Sequence, residues 1–406
     1  MNIADTSTPV VVLYCQLGAL GIMRSLGKKG IAVHGVDGER HALGFRSRYC
    51  DRRVYLDLTE SNSEEYLLAL LALGRSLPKK AVLFWTTDET AVLCARYAEQ
   101  LRQYYLFPQN SPELIDQIQD KKGMYHLALK HGVPTPRTEF PRCISDIERY
   151  LPEAQFPIML KGIIGNRLLA RTGKKMVLVH NPDELIENYR RLEDPEEPNL
   201  MLQEGIPGGD DQVWIFNGYF DNNSDCLNPY TGHKVRQFPV HVGCASLGIC
   251  KWNDDVAQIT MDFMKALGYR GILDIGYRRD PRDGKYKVLD INPRIGQAFR
   301  IFVAQNNSDV ARDLYLDLTG QKREKTTPRE NRQWVIEDFD FISSVDYYYE
   351  GTLTIRQWWK SFKGLEEGAW WYIRDPLPFI FMAAALIRRQ FIRVLVHFGI
   401  LRNNHT

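Results

Sequence analysis

The chain has 406 residues, of which 44% are hydrophobic and 25% are charged, and its formal net charge is +2. This length allows two or three domains, the composition is ordinary for a soluble globular protein, and the small net charge argues against bulk nucleic-acid binding. The seven cysteines include no CxxC pair, which argues against zinc and favours reduced, buried thiols. No basic stretch precedes the first apolar run, so no signal peptide is evident and we expect a cytoplasmic protein.

The N-terminal part has the pattern of an α/β domain. An apolar, β-branched run at 10–14 indicates a buried parallel strand, Gly18 and Gly21 open a helix, and a second strand ends at Asp37. This βαβ unit predicts a Rossmann-like topology. The glycine pattern is Gly-x-x-Gly, a weak dinucleotide signal. Asp37 lies nineteen residues after Gly18, which keeps a nicotinamide-binding interpretation open.

Another apolar strand, at 81–85, runs into Thr87 and Asp88 at the start of a helix. Ligands of open α/β sheets bind at the carboxyl ends of the strands. Threonine and aspartate are also favoured at helix N-caps. The sequence therefore leaves both a substrate contact and a simple cap open for these two residues.

Residues 116–140 predict a helix that begins after Asp120 and stops at Gly132, because Pro134 and Pro136 prevent its continuation. Lys121 stands at the start of this helix, where a cation opposes the helix dipole. A purely solvated role is therefore slightly less natural for Lys121 than contact with an anion.

Residues 156–180 predict two strands joined by a basic loop. The first strand ends in Lys161, Gly162 and Gly165 follow, and cations continue to Lys175. A strand, a mobile glycine-containing loop and a returning strand can close over a polyphosphate. The Walker sequence G-K-[ST] is absent, and taken alone this basic loop would more often be surface than site.

Two later stretches predict strands with polar residues at their ends. Residues 200–208 predict a strand that enters a hinge, where apolar faces and backbone groups can hold an adenine. Residues 230–239 predict a strand that places Lys234 and Arg236 two positions apart and hence on one face. His233 is a candidate proton carrier, although a structural role is more usual for a single histidine.

The stretch 271–297 predicts two strands joined by the turn sequence Asp-Pro-Arg-Asp-Gly. Asp290 and Asn292 point the same way on the second strand, and Asp274 lies on its partner. Oxygen ligands that converge on one face of a hairpin form a site for Mg²⁺. Arg294 follows and could meet an anion that the metal also holds. The alternative is a surface hairpin with solvated charges.

The strand that ends in Asp-Ile-Asn-Pro-Arg (290–294), preceded by an acidic strand and a turn, resembles the ATP-grasp superfamily, and most of all its carboxylate–amine ligase branch. The Asp-Lys-helix-Gly-x-Pro-Thr-Pro segment, the strand ending in Lys161 and the hinge after residue 203 are similar to further motifs of that family. The resemblance covers approximately residues 1–320.

This resemblance implies a role for each of the polar residues above. It implies phosphate contacts by Lys121, Lys161 and Lys175, and a nucleotide hinge at Gln203, Glu204 and Ile206. It also implies a ribose contact by Asp211, and it implies that the cations Lys234, Arg236 and Arg294 face an acyl phosphate. Family members often have Glu where this chain has Asp211. The first domain would help to hold the substrate that lacks phosphate.

The chain departs from the family pattern at Gly276, where the family usually has a metal-binding acid. Asp274 lies two residues earlier on the same face, and a shift of about 6–7 Å along the strand would bring it to the same metal. Alternatively, that ligand is missing, and Asp290 and Asn292 hold the ion alone.

Residues 321–406 lie outside the resemblance. Residues 322–331 have the composition of a linker, and an apolar helix is predicted from about 379 to 401. Its uncharged span, 377–387, has eleven residues and is too short to cross a bilayer. Arg389, Arg393 and His397 recur at helical spacing as a polar stripe. The helix therefore either packs on the body of the protein, which we favour, or lies in a membrane interface.

We expect an α/β protein with α+β character in its ATP-grasp core, divided into a Rossmann-like domain (1–115), an ATP-grasp domain (116–320, lid about 140–200) and a mainly helical extension (321–406). The resemblance implies an ATP- and Mg²⁺-dependent ligase, with Mn²⁺ as an alternative ion, that joins small carboxylate and amine substrates and forms ADP and phosphate. A homodimer, and peripheral contact with the inner membrane face through 377–401, stay open. Other functions left open are a nicotinamide-dependent oxidoreductase and a catalytically decayed regulatory protein.

Overall fold

The computed structural model describes residues 3–59, 61–174 and 176–397, and it describes their side chains except those of Asn166 and 389–397. Three sheets organise this part of the chain. They are a five-stranded parallel sheet, a four-stranded antiparallel sheet and a seven-stranded sheet that is antiparallel except for its last pair. The predicted α/β class with a mixed core is confirmed.

The five-stranded sheet forms the predicted Rossmann-like unit, with strand order β3-β2-β1-β4-β5. Strand β1 is buried on both faces, since α1 packs on one side of the sheet and α2 on the other. The elements are β1 (Val10–Leu13), α1 (Leu17–Gly27), β2 (Val33–Asp37), β3 (Arg52–Tyr55), α2 (Ser63–Arg75), β4 (Ala81–Trp85), α3 (Asp88–Arg96), α4 (Ala98–Leu101) and β5 (Tyr105–Leu106).

The glycines of α1 serve packing rather than dinucleotide binding. A Cβ at Gly21 would lie 2.5 Å from the Phe299 ring, whereas a Cβ at Gly18 would make only an ordinary contact of 3.4 Å with Thr86. Helix α1 is buried along nearly its whole length because the segment that contains Phe299 covers it. Gly21 therefore allows the close approach of two parts of the protein.

Asp37 also has a local structural role. Its two carboxylate oxygens accept hydrogen bonds from the backbone N–H groups of Cys15 (2.6 Å) and Glu39 (2.7 Å), and the residue is 4% exposed. A carboxylate that is occupied in this way has little capacity left for a ribose. The nicotinamide interpretation is therefore not favoured.

The strands of the four-stranded sheet come between those of the other two sheets along the chain, and their order in the sheet is β6-β9-β7-β8. Its elements, with the two helices that precede it, are α5 (Pro112–Gln119), α6 (Lys121–Lys130), β6 (Thr138–Glu139), α7 (Ile144–Tyr150), β7 (Ile158–Gly162), α8 (Gly165–Thr172), β8 (Met176–Val179), α9 (Pro182–Leu192) and β9 (Leu200–Glu204). Helix α6 begins after Asp120, as predicted, and Asp120 is its N-cap, since its carboxylate accepts the Gly123 N–H at 2.7 Å.

The prediction of a glycine loop between β7 and β8 is wrong in part. Residues Gly165–Thr172 form a helix, which ends at Gly173 in the left-handed conformation. The buried Leu168 side chain joins the apolar cluster of this layer, and its burial stabilises the helix.

The seven-stranded sheet, in the order β14-β13-β10-β11-β12-β15-β16, carries the predicted hairpin at one edge. Its elements are β10 (Val213–Phe220), β11 (Tyr230–Phe238), β12 (Cys244–Cys250), α10 (Asp254–Leu267), β13 (Gly271–Arg279), β14 (Tyr286–Asn292), α11 (Val310–Leu318), β15 (Gln333–Val335), α12 (Glu337–Tyr349), α13 (Ile355–Ser361), β16 (Leu365–Gly368) and α14 (Leu377–His397). The last five elements belong to the predicted C-terminal extension, so the extension lengthens the central sheet.

The stretch predicted as a linker is held in place, which corrects that prediction. Arg323 pairs with Asp221 (2.9 Å) and Asp317 (3.2 Å), and Arg329 pairs with Glu366 (2.6 Å). These contacts join the stretch to the central sheet on one side and to β16 on the other. The composition of the stretch gave no sign of these partners because they are distant in sequence.

The extension also reaches the N-terminal sheet through a buried ion pair. The Arg24 guanidinium of α1 donates to the Asp375 carboxylate at 2.9 Å, and the two side chains are 3% and 1% exposed. Arg24 further donates to the carbonyls of Ala369 and Trp370, both at 2.7 Å. A buried pair of this kind persists only when additional hydrogen bonds satisfy both ions.

Helix α14 packs on the body of the protein over its first part, in agreement with the favoured alternative. Met382 is 6% exposed, and the Phe379 ring meets Trp371 edge-on at 5.3 Å. No helix in the described part of the chain is long and apolar enough to span a membrane. The side chains of Arg389, Arg393 and His397 lie outside the described residues.

The packing account predicts different outcomes for two glycines of one helix. Gly21→Ala forces a Cβ into the Phe299 ring and should lower the free energy of unfolding by about 1–3 kcal/mol. Gly18→Ala has room and should be neutral or stabilising, since alanine is the better helix former. Urea denaturation of both variants measures the difference. Equal effects at the two positions would contradict the packing role.

Candidate active site

The hairpin of β13 and β14 brings the three predicted metal ligands together. Asp274 lies directly opposite Asn292 in the antiparallel ladder, and Gly276 lies opposite Asp290. Residues that face each other across a ladder present their side chains on the same face. The three predicted ligands are thus two carboxylates and one amide. Within the described residues no group of three or more His, Cys, Asp or Glu side chains is placed to hold a metal ion.

Two glycines leave the space that the two carboxylates occupy. A Cβ at Gly276 would lie 2.3 Å from Oδ1 of Asp290, and a Cβ at Gly296 would lie 2.1 Å from Oδ2 of Asp274. The absence of a side chain at position 276 is therefore matched by the carboxylate of Asp290, which fills that space.

The Asp274 carboxyl is poised by its surroundings. Burial raises the pKa of Asp274 to about 6; the charge of Arg294 opposes this shift and the charge of Asp290 adds to it. On the neighbouring strand, the fully buried Asn217 pairs with Asp274 across the ladder, and its amide oxygen has no hydrogen-bond partner among the described residues. Hard oxygens that lack protein donors are suited to a divalent cation.

A hydrogen-bonded chain links this site to the N-terminal sheet. The Asn292 amide donates to Asp290 (2.9 Å) and accepts from Arg294 (3.0 Å), and Arg294 donates to Asp88 at 2.6 Å. The Trp85 indole at the end of β4 donates to the Pro293 carbonyl at 2.9 Å. The carboxyl end of the parallel sheet therefore borders the candidate metal site.

Thr87 and Asp88, at the start of α3, have separate roles. Thr87 is the N-cap of α3 and forms a capping box with Thr90, so the simple cap is the correct interpretation for Thr87. Asp88, the next residue, reaches Arg294 instead. The sequence had left both interpretations open for the pair.

Lys161 lies at the end of β7, close to the hairpin carboxylates. Its ammonium donates to the Gln203 side chain at 2.7 Å. Burial lowers the pKa of Lys161 to about 8; the charges of Lys121 and Lys234 lower it further and Asp290 opposes them. Three lysines from three different elements therefore lie near enough to act on one another, which is an arrangement suited to a polyanion.

Lys234 and His233 lie on opposite faces of β11. The Lys234 ammonium donates to the Gly243 carbonyl (2.8 Å) and to Gln237 (3.3 Å). His233 lies opposite Trp214 in the ladder, and their rings are 5.4 Å apart. Burial lowers the pKa of His233, which favours its neutral form. The packing against Trp214 supports a structural role for His233.

The prediction that Lys234 and Arg236 share one face is wrong. Strand β11 has a register shift between them, which changes the direction of the second side chain. Arg236 donates through Nε and Nη2 to the two oxygens of Asp340, at 2.8 and 2.9 Å, and both side chains are buried. Because the extension already neutralises its charge, this geometry supports a structural role for Arg236, and its catalytic role stays a prediction.

The predicted nucleotide hinge lies where β9 ends, beside Lys161. Gln203 is 4% exposed and accepts from Lys161, and Ile206 is buried. Glu204 instead accepts from Lys287 (2.8 Å) and Arg282 (3.0 Å). Burial by itself would raise the pKa of Glu204, but the Lys287 hydrogen bond and the surrounding cations lower it. The Glu204 side chain is thus engaged by protein, and its role toward a nucleotide stays a prediction.

Two other predicted residues are less constrained. Asp211 is exposed and accepts from the neighbouring Gln212 at 2.7 Å, so its ribose contact also stays a prediction. Lys175 lies outside the described residues.

Sequence reasoning missed Lys287 and Asp340, which bind Glu204 and Arg236 respectively. Lys287 sits beside the buried Val288 in β14, and a lysine at 9% exposure normally has a charged partner. The lysine in the apolar strand was thus a usable signal. Asp340 had none, since its partner lies 104 residues away.

No family model matches the chain. A curated relative, the D-aspartate ligase of Enterococcus faecium (strain Aus0004), is 25% identical over 244 residues, which are 58% of this chain and 58% of the relative. The chain thus matches less than two thirds of the length of that relative.

Solved structures share the fold at low identity. The N5-carboxyaminoimidazole ribonucleotide synthetase of Thermus thermophilus has a TM-score of 0.60 and 16% identity and covers 80% of this chain and 81% of its own. The L-amino acid ligase of Bacillus licheniformis has a TM-score of 0.59 and 14% identity, and it covers 80% of this chain and 76% of its own. A third structure is the biotin carboxylase domain of the Hydrogenobacter thermophilus 2-oxoglutarate carboxylase, in complex with MgADP, ADP and bicarbonate. It has a TM-score of 0.61 and 16% identity, and it covers 80% of this chain and 72% of its own. The chain has the ATP-grasp fold of these proteins, which confirms the predicted fold.

The structural role of Arg236 predicts a loss of stability when it is replaced. Arg236→Ala leaves the buried Asp340 without its cation and should lower the free energy of unfolding by roughly 3–5 kcal/mol. Urea denaturation measures this loss.

The double variant Arg236→Met/Asp340→Leu is the matched control, because it removes both charges and should recover most of the stability. A stable Arg236→Ala variant with no remaining activity would contradict the structural role and restore the catalytic one.

Proposed function

We propose that this chain is an ATP-dependent ligase that joins a carboxylate to an amine through an acyl phosphate and forms ADP and phosphate. The observation that carries the proposal is the convergence of Lys161 and Lys234 on the hairpin carboxylates Asp274 and Asp290, within an ATP-grasp fold. The names of two similar proteins, a D-aspartate ligase and an L-amino acid ligase, support the same class of reaction.

ATP would lie between the four-stranded layer and the hairpin. Lys161, with Lys121 and Lys175, would contact phosphate oxygens, while Gln203 keeps the Lys161 ammonium directed toward them. The buried Ile206 and the backbone of the hinge would hold the adenine, and Asp211 the ribose.

The donor set fits Mg²⁺, with Mn²⁺ as an alternative. Asp274, Asp290 and the Asn292 amide supply oxygen atoms on one face, the space over Gly276 is filled by the Asp290 carboxylate, and the Asn217 oxygen beside them is unpartnered among the described residues. The ion would neutralise phosphate charge. Asp274 would then take the place of the acid that is absent at Gly276.

The protein acts by positioning and by charge neutralisation. A carboxylate oxygen of the first substrate forms a bond to the γ-phosphorus, and the bond from that phosphorus to the bridging oxygen of ADP breaks. The amine nitrogen then attacks the acyl carbon, phosphate leaves, and the nitrogen loses a proton. Lys234 and Arg294 would face the acyl phosphate, and the hydrogen bond to Asp88 would hold Arg294 in position.

The substrates would be small molecules, and at least one would be an amino acid, as the names of the two ligases suggest. We place the substrate that lacks phosphate at the carboxyl end of β4, beside Asp88. We further propose a cytoplasmic enzyme, with units divided near residues 115 and 320 and a lid at about 140–200. We also propose a homodimer, since the similar Hydrogenobacter domain is a dimer.

A substrate panel tests the proposal. Purified protein is incubated with ATP, Mg²⁺ and pairs drawn from D-amino acids, L-amino acids and small carboxylates, and ADP release is followed. ADP that forms only when an acid and an amine are both present supports the ligase. ATP binding without turnover over the whole panel would favour the regulatory protein, and NADH binding without ATP binding would favour the oxidoreductase.

Lys161 predicts how ATP affinity depends on pH. Its pKa of about 8 in the free protein means that the charged form, which binds phosphate, is lost as the pH rises through 8. ATP affinity should therefore fall by up to about tenfold per pH unit above pH 8. In Lys161→Arg the guanidinium stays charged, so the slope of log Kd against pH should be nearly flat. Identical slopes in the two proteins would contradict phosphate contact by Lys161.

Replacement of the candidate metal ligands in the hairpin gives an independent prediction. Asp290→Ala and Asn292→Ala should abolish ADP formation at limiting Mg²⁺, because each removes an oxygen ligand. Asp274→Ala should do the same if Asp274 replaces the acid absent at Gly276. Asp283→Ala, in the turn of the same hairpin, is the control and should keep full activity. Full activity in Asp290→Ala refutes the metal site.

A further inference from the structure

One face of α14 is apolar and uncovered. While Met382 on one side of the helix is buried, Ile380, Phe381 and Ile387 on the other are 51%, 41% and 69% exposed. Leu377 and Ile373 beside them are 48% and 78% exposed. A contiguous apolar face of this kind on a helix that is otherwise docked marks a surface that meets something outside the chain.

The surroundings of this face are basic. The Arg46 guanidinium lies over the Phe381 ring at 4.3 Å, and Arg48, Arg374 and Arg388 are exposed. The sequence from position 376 to 406 contains no Asp or Glu, and its charged residues are Arg388, Arg389, Arg393 and Arg402. An apolar helix face with arginines at its edges complements an anionic lipid surface.

The aromatic residues near the start of α14 fit the same surface. Trp371 is 49% exposed, and its ring packs against Phe379. Tryptophan is enriched at the level of lipid headgroups, where its apolar ring and its polar N–H group are both accommodated.

A second apolar region of the extension lacks this complementarity. The groove between α12 and α13, with a volume of about 210 Å³, is lined by Tyr348, Leu353 and Trp358 among others. Helix α12 carries four acids and no Lys or Arg in its sequence, so an anionic surface would be repelled there. Charge therefore separates the two apolar surfaces of the extension.

We propose that α14 docks the protein on an anionic membrane surface, with Ile380, Phe381 and Ile387 in the apolar boundary of the lipid and the arginines at the headgroups. The helix lies in the plane of the interface, since its opposite face is packed on the protein. This inference is independent of the ligase chemistry, because no residue of the docking face belongs to the candidate active site.

The test uses the full chain and vesicle co-sedimentation. Vesicles of phosphatidylcholine with about 30% phosphatidylglycerol should bind the protein, and vesicles of phosphatidylcholine alone should bind it at least about tenfold more weakly. Raising the salt from about 0.05 to about 0.5 M should weaken the binding, because screening shortens the range of the arginine charges.

Variants assign the binding to α14. Ile380→Glu/Ile387→Glu should reduce vesicle affinity by about tenfold or more while leaving the fold and ADP formation unchanged, because both side chains are exposed. Arg374→Glu/Arg388→Glu should remove the preference for anionic lipid. Ile355→Glu, at a position 64% exposed on α13, is the matched control and should bind like the parent protein.

Three outcomes would overturn the inference. They are no binding of the parent protein to anionic vesicles at low salt, binding that Ile380→Glu/Ile387→Glu leaves intact, and an equal loss with Ile355→Glu. Size-exclusion chromatography with light scattering identifies the other occupant: a dimer that Ile380→Glu/Ile387→Glu converts to a monomer, without vesicle binding, would assign the face to a second copy of the chain.

Discussion

The hydrogen-bonded chain from Asp290 through Asn292 and Arg294 to Asp88 fixes the geometry on which the rest of the candidate site depends. An amide and a guanidinium lie between the two carboxylates along it, so the like charges are kept apart. The chain also crosses from β14 to the start of α3. As a result the carboxyl end of β4, where we propose that a substrate binds, is connected to the residues whose oxygen atoms would bind Mg²⁺.

The C-terminal extension also holds both sheets that border the candidate site. Asp340 neutralises Arg236 on β11, and Asp375 neutralises Arg24 on α1, so the seven-stranded sheet and the N-terminal unit are each tied to the extension by a buried ion pair. Breaking a buried pair is costly because one ion is left without compensation. Since Arg236 is paired in this way, we propose that Lys234 and Arg294 are the cations that face the acyl phosphate. The extension therefore neutralises the charge of one of the predicted cations.

The sequence predicted those parts of the molecule whose signals are local. The turn of the 271–297 hairpin, the strand end at Lys161 and the helix start after Asp120 each depend on neighbouring residues, and all three were found. Contacts over long sequence distances were missed. The register shift in β11 depends on its pairing with β12, and the partner of Arg236 comes from the extension. Helix α8 was predicted as a loop because glycines flank it, whereas burial of Leu168 in a distant cluster decides its structure. The sequence thus indicated which acids and lysines lie close together, but not which charges other residues already neutralise.

The central claim is that ATP phosphorylates a carboxylate before the amine attacks. Once the panel has identified the acid, that substrate can be prepared with ¹⁸O in both carboxylate oxygens, and the phosphate released in the complete reaction can be analysed by mass spectrometry. An acyl phosphate transfers one labelled oxygen to each phosphate, because the acyl carbon–oxygen bond is the one that breaks. We therefore predict that the released phosphate carries a single ¹⁸O in every turnover. Unlabelled phosphate, formed together with ADP, would show that water attacks ATP directly and would contradict the proposed ligase reaction.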